Sequence, residues 1–210
     1  MSDLLPLFPL PNVVLFPNVY LPLHIFEPRY REMVADALDG DRMIGMVLLR
    51  PGWQQQYDGR PPVYPIGCSG VITHVEKLDD GRYNLVLRGL ERFRIVEEDH
   101  SRSYRRAIVE PMAESGPTAE ERDSIRTYRS KLEALLSPAV EKTGADPRTT
   151  AAMSDEDLVN ALAQYLALEP LEKQALLELH GLRRRAESLV ELLEMKILIA
   201  KTPGASNVAH

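Results

Sequence analysis

Apolar residues crowd most densely between Leu4 and Tyr30, and proline interrupts them at Pro6, Pro9, Pro11, Pro17, Pro22 and Pro28. Each proline removes a backbone donor and fixes φ, so the stretch reads as extended pieces and not as one helix. Val13–Phe16 and Leu21–Phe26 have the composition and length of strands, with proline at their ends where edges, strand starts and bulges tolerate it, and a turn at Pro17 and Asn18 is predicted to join them. Pro28 opens a helix in which Tyr30, Met33, Val34, Ala37 and Leu38 recur at i, i+3, i+4, i+7 and i+8, one apolar face that Gly40 ends. Met43–Leu49 returns to strand character. The polar connection Arg50–Tyr64, rich in proline and glycine, has the length of loops that carry function.

Gly67–Leu78 is a long strand predicted to be covered on both sides, because Cys68 and Ile72 on one alternating set are matched by Val71 and Val75 on the other. Asp79-Asp80-Gly81-Arg82 is a hairpin turn by its chemistry. Tyr83, Leu85 and Leu87 alternate along the return strand. Glu91–Val96 is read with Phe93 and Ile95 inward and Arg92 and Arg94 outward, and Tyr104–Glu110 as a further strand. Beyond a linker at Pro111–Pro117 the period becomes helical. Thr118 and Glu121 form a capping box before Ile125, Tyr128, Leu132 and Leu135, and Pro138 is expected to close that helix. Ser154 with Asp157 opens a second helix and Pro170 a third. Leu182–Ala200 is expected to be the longest, with Leu182, Ala186, Leu189, Leu193 and Ile197 as its buried stripe.

Three stretches carry a resemblance to a known family. LPLFPLPNVVLFP with LPLHIFEPRYREMV, then PPVYPIGCSGVITHVEKLDDGRYNLVLRGLERFRI (Pro61–Ile95), then LEPLEKQALLELHGLRRRAESLVELLE (Leu168–Glu194) resemble, in order, the N-terminal substrate-binding domain of Lon-type proteases. The length fits the free-standing form better than a protease fragment. The resemblance implies an α+β fold: a β-rich, PUA-like pseudo-barrel lobe over residues 1–113, a helical bundle lobe over 118–202, and a loose tail over 203–210.

Composition narrows the chemistry. With 25 basic and 31 acidic residues the net charge is −6 and is spread evenly, which disfavours nonspecific duplex binding. A single cysteine excludes an intramolecular disulfide framework, so a reducing, cytoplasmic setting is expected, and neither a signal peptide nor a membrane span is found in the sequence. The sequence holds no P-loop, HExxH or GxSxG, and its five histidines are scattered, so no metal, cofactor or catalytic residue is assigned. What the resemblance carries over is the recognition module without the ATPase and Ser-Lys protease parts of Lon.

The expected function is therefore non-enzymatic binding of exposed apolar segments of other polypeptides, by apolar burial and strand-edge pairing, in an adaptor or chaperone-like role. Trp53, Tyr57 and Tyr64, rings set in a polar loop, are the candidate contacts. Phe16, Tyr20, Phe26 and Tyr30 have two readings, the lining of a groove for apolar peptide segments and the core, and their strand and helix spacing favours the core. The alternative is an RNA-binding protein, since PUA-type barrels bind RNA, with Arg88, Arg92, Arg94 and Arg106 as its basic surface beside Arg105. Interspersed Glu91, Glu97, Glu98 and Asp99 favour a solvated face of mixed pairs there. Arg183–Arg185 is read as surface solvation and Cys68 as an inert buried thiol.

Overall fold

The computed structural model describes residues 4–56, 59–114, 116–143 and 152–201, with side chains of 139–143 excepted. The fold is α+β, and its contacts gather the chain into two compact units, Met1–Ala113 with Asn160–Glu178 and Glu114–Val159 with Leu179–His210.

The first unit is built on six strands, β1 (Leu5–Leu10), β2 (Tyr20–Ile25), β3 (Met43–Leu48), β4 (Ile66–Lys77), β5 (Tyr83–Asp99) and β6 (Arg105–Pro111). Their order is β2-β5-β4-β3-β1-β6, and β6 also pairs with β5, so five strands close into a ring from which β2 hangs. The 17-residue β5 makes both connections: its first part, Tyr83–Arg88, pairs with β2, and Phe93–Asp99 pairs with β6 past a register shift between Ile95 and Glu97. Such irregularities bend a strand and tighten its twist, which closure demands. Leu5, Leu7, Val47, Phe93 and Ala107 fill the interior. The turn before β5 is the predicted one, with Gly81 at φ 80°.

The first strand differs from expectation. It is Leu5–Leu10, while Val13–Phe16 joins no ladder. β1 keeps two prolines because it pairs with β6 only over Leu5–Leu7 and with β3 only over Leu7–Leu10, so Pro6 and Pro9 each have an open side for the missing donor. Val14, Leu15 and Phe16 are buried all the same. Two backbone groups beside them are satisfied by side chains from the end of helix α3 (Asp155–Tyr165): Phe16 N donates to Gln164 Oε1 at 3.1 Å and Asn160 Nδ2 donates to the Pro17 carbonyl at 3.3 Å. Buried backbone groups need partners, and these amides stand in for a neighbouring strand.

Helix α1 (Pro28–Asp39) buries Tyr30, Met33, Val34 and Ala37, the face its spacing predicts. Tyr104, 3% exposed, ties the approach to β6 onto it by donating to Asp36 Oδ2 at 2.6 Å. Burial, with the Asp36 carboxylate second, pushes the Tyr104 phenol up to about 12 from an ordinary 10. A raised phenol contributes stability that is whole below pH 10 and is lost as pH rises through 12. Absorbance titration is expected to show a late-ionising tyrosine near pH 12 that Tyr104→Phe removes; an unchanged profile in that variant would contradict this.

Helix α4 (Pro170–Glu178) covers the outside of the sheet. Arg92 leaves the barrel interior as alternation requires, but it meets this helix and not water. It is 3% exposed, and its guanidinium donates to the Leu177 carbonyl at 2.6 Å. The last carbonyls of a helix lack internal donors and favour a cation, which explains why this arginine is buried there. Gln174 donates to the Ile66 carbonyl at 3.0 Å.

In the second unit, helix α2 (Ala119–Thr143) begins at the predicted capping box, with Thr118 and Glu121 bonded reciprocally. Pro138 does not close it; the helix runs on to Thr143 and is longer than α5 (Leu182–Lys201). A proline there removes one donor, and the carbonyl that loses its partner belongs to Ala134, an exposed residue where water can reach the backbone. Ile125, Leu132, Leu158, Val159, Ala186, Leu189, Val190 and Leu193 are the buried apolar residues among those described in this unit. Arg185 is another correction. It is 1% exposed, and its guanidinium lies 2.6 Å from Glu114.

Candidate functional site

Within the first unit, the C-terminal ends of β1 and β2 stand on either side of an apolar cleft of about 260 Å³. Phe8–Pro11 form one wall and Leu23–Phe26 the other; Tyr30 and Arg29 of α1, Leu49, Trp53 and Gly59–Pro61 complete it, with Arg105 among its lining residues. The volume is just below the usual range of small-molecule pockets, about 300–1,000 Å³, and suits one or two side chains of a larger ligand. Phe8 and Tyr30 pack with ring centroids 4.6 Å apart, and the Arg29 guanidinium lies 4.7 Å over Tyr30 while pairing with Glu27 at 3.0 Å. Phe26 at the rim is 60% exposed.

The cleft runs beside an unpaired strand edge. Among the described residues β2 pairs only with β5, and Gly89 N donates to the Val19 carbonyl at 2.9 Å. Antiparallel strands alternate, so Val19, Leu21, Leu23 and Ile25 turn their backbone groups toward β5, while Tyr20, Pro22 and His24 turn theirs away. The Tyr165 hydroxyl already donates to the Tyr20 carbonyl at 2.9 Å. Pro22 occupies an outward position, where its missing N–H breaks no ladder bond. The outward groups left are the carbonyl of Pro22 and the N–H and carbonyl of His24, next to the cleft. The His24 ring is fixed as well: Arg82 can only donate, at 3.3 Å, so Nε2 accepts and Nδ1–H donates to Asn84 Oδ1 at 2.7 Å.

Of the rings singled out from the sequence, Trp53 is half-buried and lines the cleft. Tyr64 is half-buried under the Arg50 guanidinium, 5.3 Å from its ring centre, and is not part of the lining. Tyr57 lies outside the described residues. Phe16 and Tyr30 are core, as expected, but Tyr20 and Phe26 are 51% and 60% exposed. They lie on and beside an edge strand that, among the described residues, no further strand covers. The basic set is not gathered: Arg88 and Arg94 are exposed six residues apart on β5, about 20 Å at the usual strand rise. Arg92 is under α4, and Arg106 pairs with Asp99 at 2.7 Å. Leu23, His24 and Arg60 escaped the sequence reading, which favoured the core for Phe26 and set Arg105 beside the basic residues, since an aromatic residue beside an apolar strand carries no mark of exposure. Among the described residues no group of three or more His, Cys, Asp or Glu could hold a metal ion, and no helix is long and apolar enough to cross a membrane.

A β-barrel with a pendant strand, joined to helices in this order, defines a class of domain that comparison with known proteins identifies. Residues 4–195 match the model of the ATP-dependent protease La (LON) substrate-binding domain, and the chain belongs to that family. It is 29% identical over 204 residues to Lon protease 2 of Myxococcus xanthus, covering 95% of this chain and 24% of that protein. It is 30% identical over 199 residues to Lon protease 2 of Herpetosiphon aurantiacus, covering 92% and 24%. The chain thus spans about a quarter of the length of these relatives. In fold it is similar to the N-terminal domain of a Mycobacterium avium complex Lon protease, with TM-score 0.73 at 17% identity over 91% of this chain and 98% of the other. It is also similar to a Lon N-terminal domain protein from Xanthomonas campestris, with TM-score 0.57 at 24% identity over 96% and 99%.

Proposed function

We propose that this chain is a non-catalytic recognition module that binds extended apolar segments of other polypeptides at the cleft, in an adaptor or chaperone-like role. The observation that carries the reading is the coincidence of a free strand edge with an apolar cavity. A segment laid along β2 pairs with the outward groups of Pro22 and His24 and places alternate side chains against Leu23, Ile25, Phe26 and Trp53. Main-chain bonds accept many sequences, and the cavity selects apolar side chains among them. Membership of the substrate-binding domain family supports the same reading. The scattered arginines lend the RNA alternative no support.

Trp53, the only tryptophan, reports on the cleft. Its emission is expected to shift blue when an unfolded apolar polypeptide is added. Phe26→Asp is expected to weaken binding about tenfold while leaving the melting temperature within about two degrees, because the ring is exposed in the free protein and exposed positions contribute little to stability. Undiminished binding by that variant would place the contact elsewhere, and salt-sensitive retention of RNA without polypeptide binding would replace this reading with the alternative.

A further inference from the structure

The cleft is apolar, but its charges do not balance. Arg29, Arg60 and Arg105 line it, and among the described lining residues Glu27 is the one carboxylate. Arg29 is matched by Glu27 at 3.0 Å and Arg105 by Glu98 at 3.1 Å. Arg60 is held only by backbone carbonyls, that of Arg102 at 2.9 Å and that of Asp99 at 3.4 Å, and among the described residues no carboxylate pairs with it. The acids in the neighbourhood are engaged elsewhere: Asp99 with Arg106 at 2.7 Å, and Glu32 and Asp36 with Arg102 at 3.8 Å. Arg60 is also half-buried. A guanidinium has five N–H donors, so donors remain beyond the two carbonyl bonds, and apolar walls strengthen any charge they meet. The same excess is felt by Arg105, whose guanidinium is pushed down first by burial and, against the pull of Glu98, by the charges of Arg60 and Arg29.

We propose that the polypeptide segment taken by the cleft carries an aspartate or glutamate side chain among its apolar residues, and that Arg60 is the residue that selects it. This rests on the polypeptide-binding reading and adds a specificity to it. In an extended segment an acidic side chain two places from an apolar one points to the same side, so one can fill the cavity while the other reaches Arg60.

The test uses the full chain and hexapeptides of Val, Leu and Phe with both termini blocked and one variable position, Asp, Asn or Lys, together with the Asn peptide bearing a free C-terminal carboxylate. Binding is followed by Trp53 fluorescence and calorimetry. The Asp peptide is expected to bind about tenfold tighter than the Asn peptide, the scale of a charge-assisted hydrogen bond, and the advantage should shrink with salt. Arg60→Gln is expected to reduce that advantage to about twofold or less, and Arg60→Lys to retain most of it. Equal binding of the blocked Asp and Asn peptides to the unaltered chain overturns the inference and leaves the polypeptide reading standing. So does a preference for the free C-terminus over the Asp side chain, or an Asp preference that survives in Arg60→Gln. If none of the four peptides binds, the polypeptide reading falls and the inference with it.

Discussion

Glu114→Ala is expected to destabilise the second unit by about 3–5 kcal/mol, among the largest effects of any single substitution in the chain. Its partner Arg185 is 1% exposed, and the two side chains approach to 2.6 Å. Removing the carboxylate takes from the buried guanidinium the opposite charge that lies 2.6 Å from it. The paired change Glu114→Leu with Arg185→Met removes both charges and is expected to recover most of the loss, since apolar residues of similar volume replace buried ion pairs at little or no cost. Urea unfolding of the single and double variants measures both. A single-variant loss below about 1 kcal/mol would mean that water reaches the arginine and screens its charge.

Gly89→Ala is expected to cost about 3 kcal/mol, at the upper end of overpacking. A β-carbon there would fall on the Phe16 carbonyl oxygen, with the Phe16 carbonyl carbon at 2.9 Å and Leu15 Cγ at 3.3 Å. Neither side is free to retreat. Gly89 exchanges bonds with the turn, receiving from Asn18 N and donating to the Val19 carbonyl, each at 2.9 Å, and Phe16 N is held by Gln164. The turn that launches β2 must therefore shift or lose its bonds, so polypeptide binding at the β2 edge is expected to weaken along with stability. Gly116→Ala, where nothing lies within 4 Å, serves as the control and should change stability by less than about 0.5 kcal/mol. Equal unfolding midpoints for the two variants would show that the backbone yields at no cost.

Local signals were legible in the sequence wherever short-range chemistry decides the outcome. The proline start and the i, i+3, i+4 face of α1, the Thr118–Glu121 cap, the glycine turn before β5 and the helical period beyond Pro117 depend on residues within a few positions of one another. Pro138 exposes the limit of such rules, because a proline inside a helix has a cost that solvent around an exposed carbonyl can lower. Val13–Phe16 fails for the opposite reason. It has every property of a strand, but a strand is defined by its partner, and here amides about 145 residues away in sequence take the partner's place.

The family, the α+β class and the division into strands followed by helices were determined by the sequence alone, through its motifs and its hydrophobic periods. The tertiary structure decided the fate of the charged and aromatic residues, because burial depends on which distant element arrives to cover them. Arg92 and Arg185 look like surface residues until α4 and Glu114 meet them, while Phe26 looks like core until β2 turns out to have, among the described residues, no strand on its outer side. The cleft exists for the same reason: it is the space left between the ends of β1 and β2, strands that share no ladder and are separated by a loop in the chain, and no local pattern records a space.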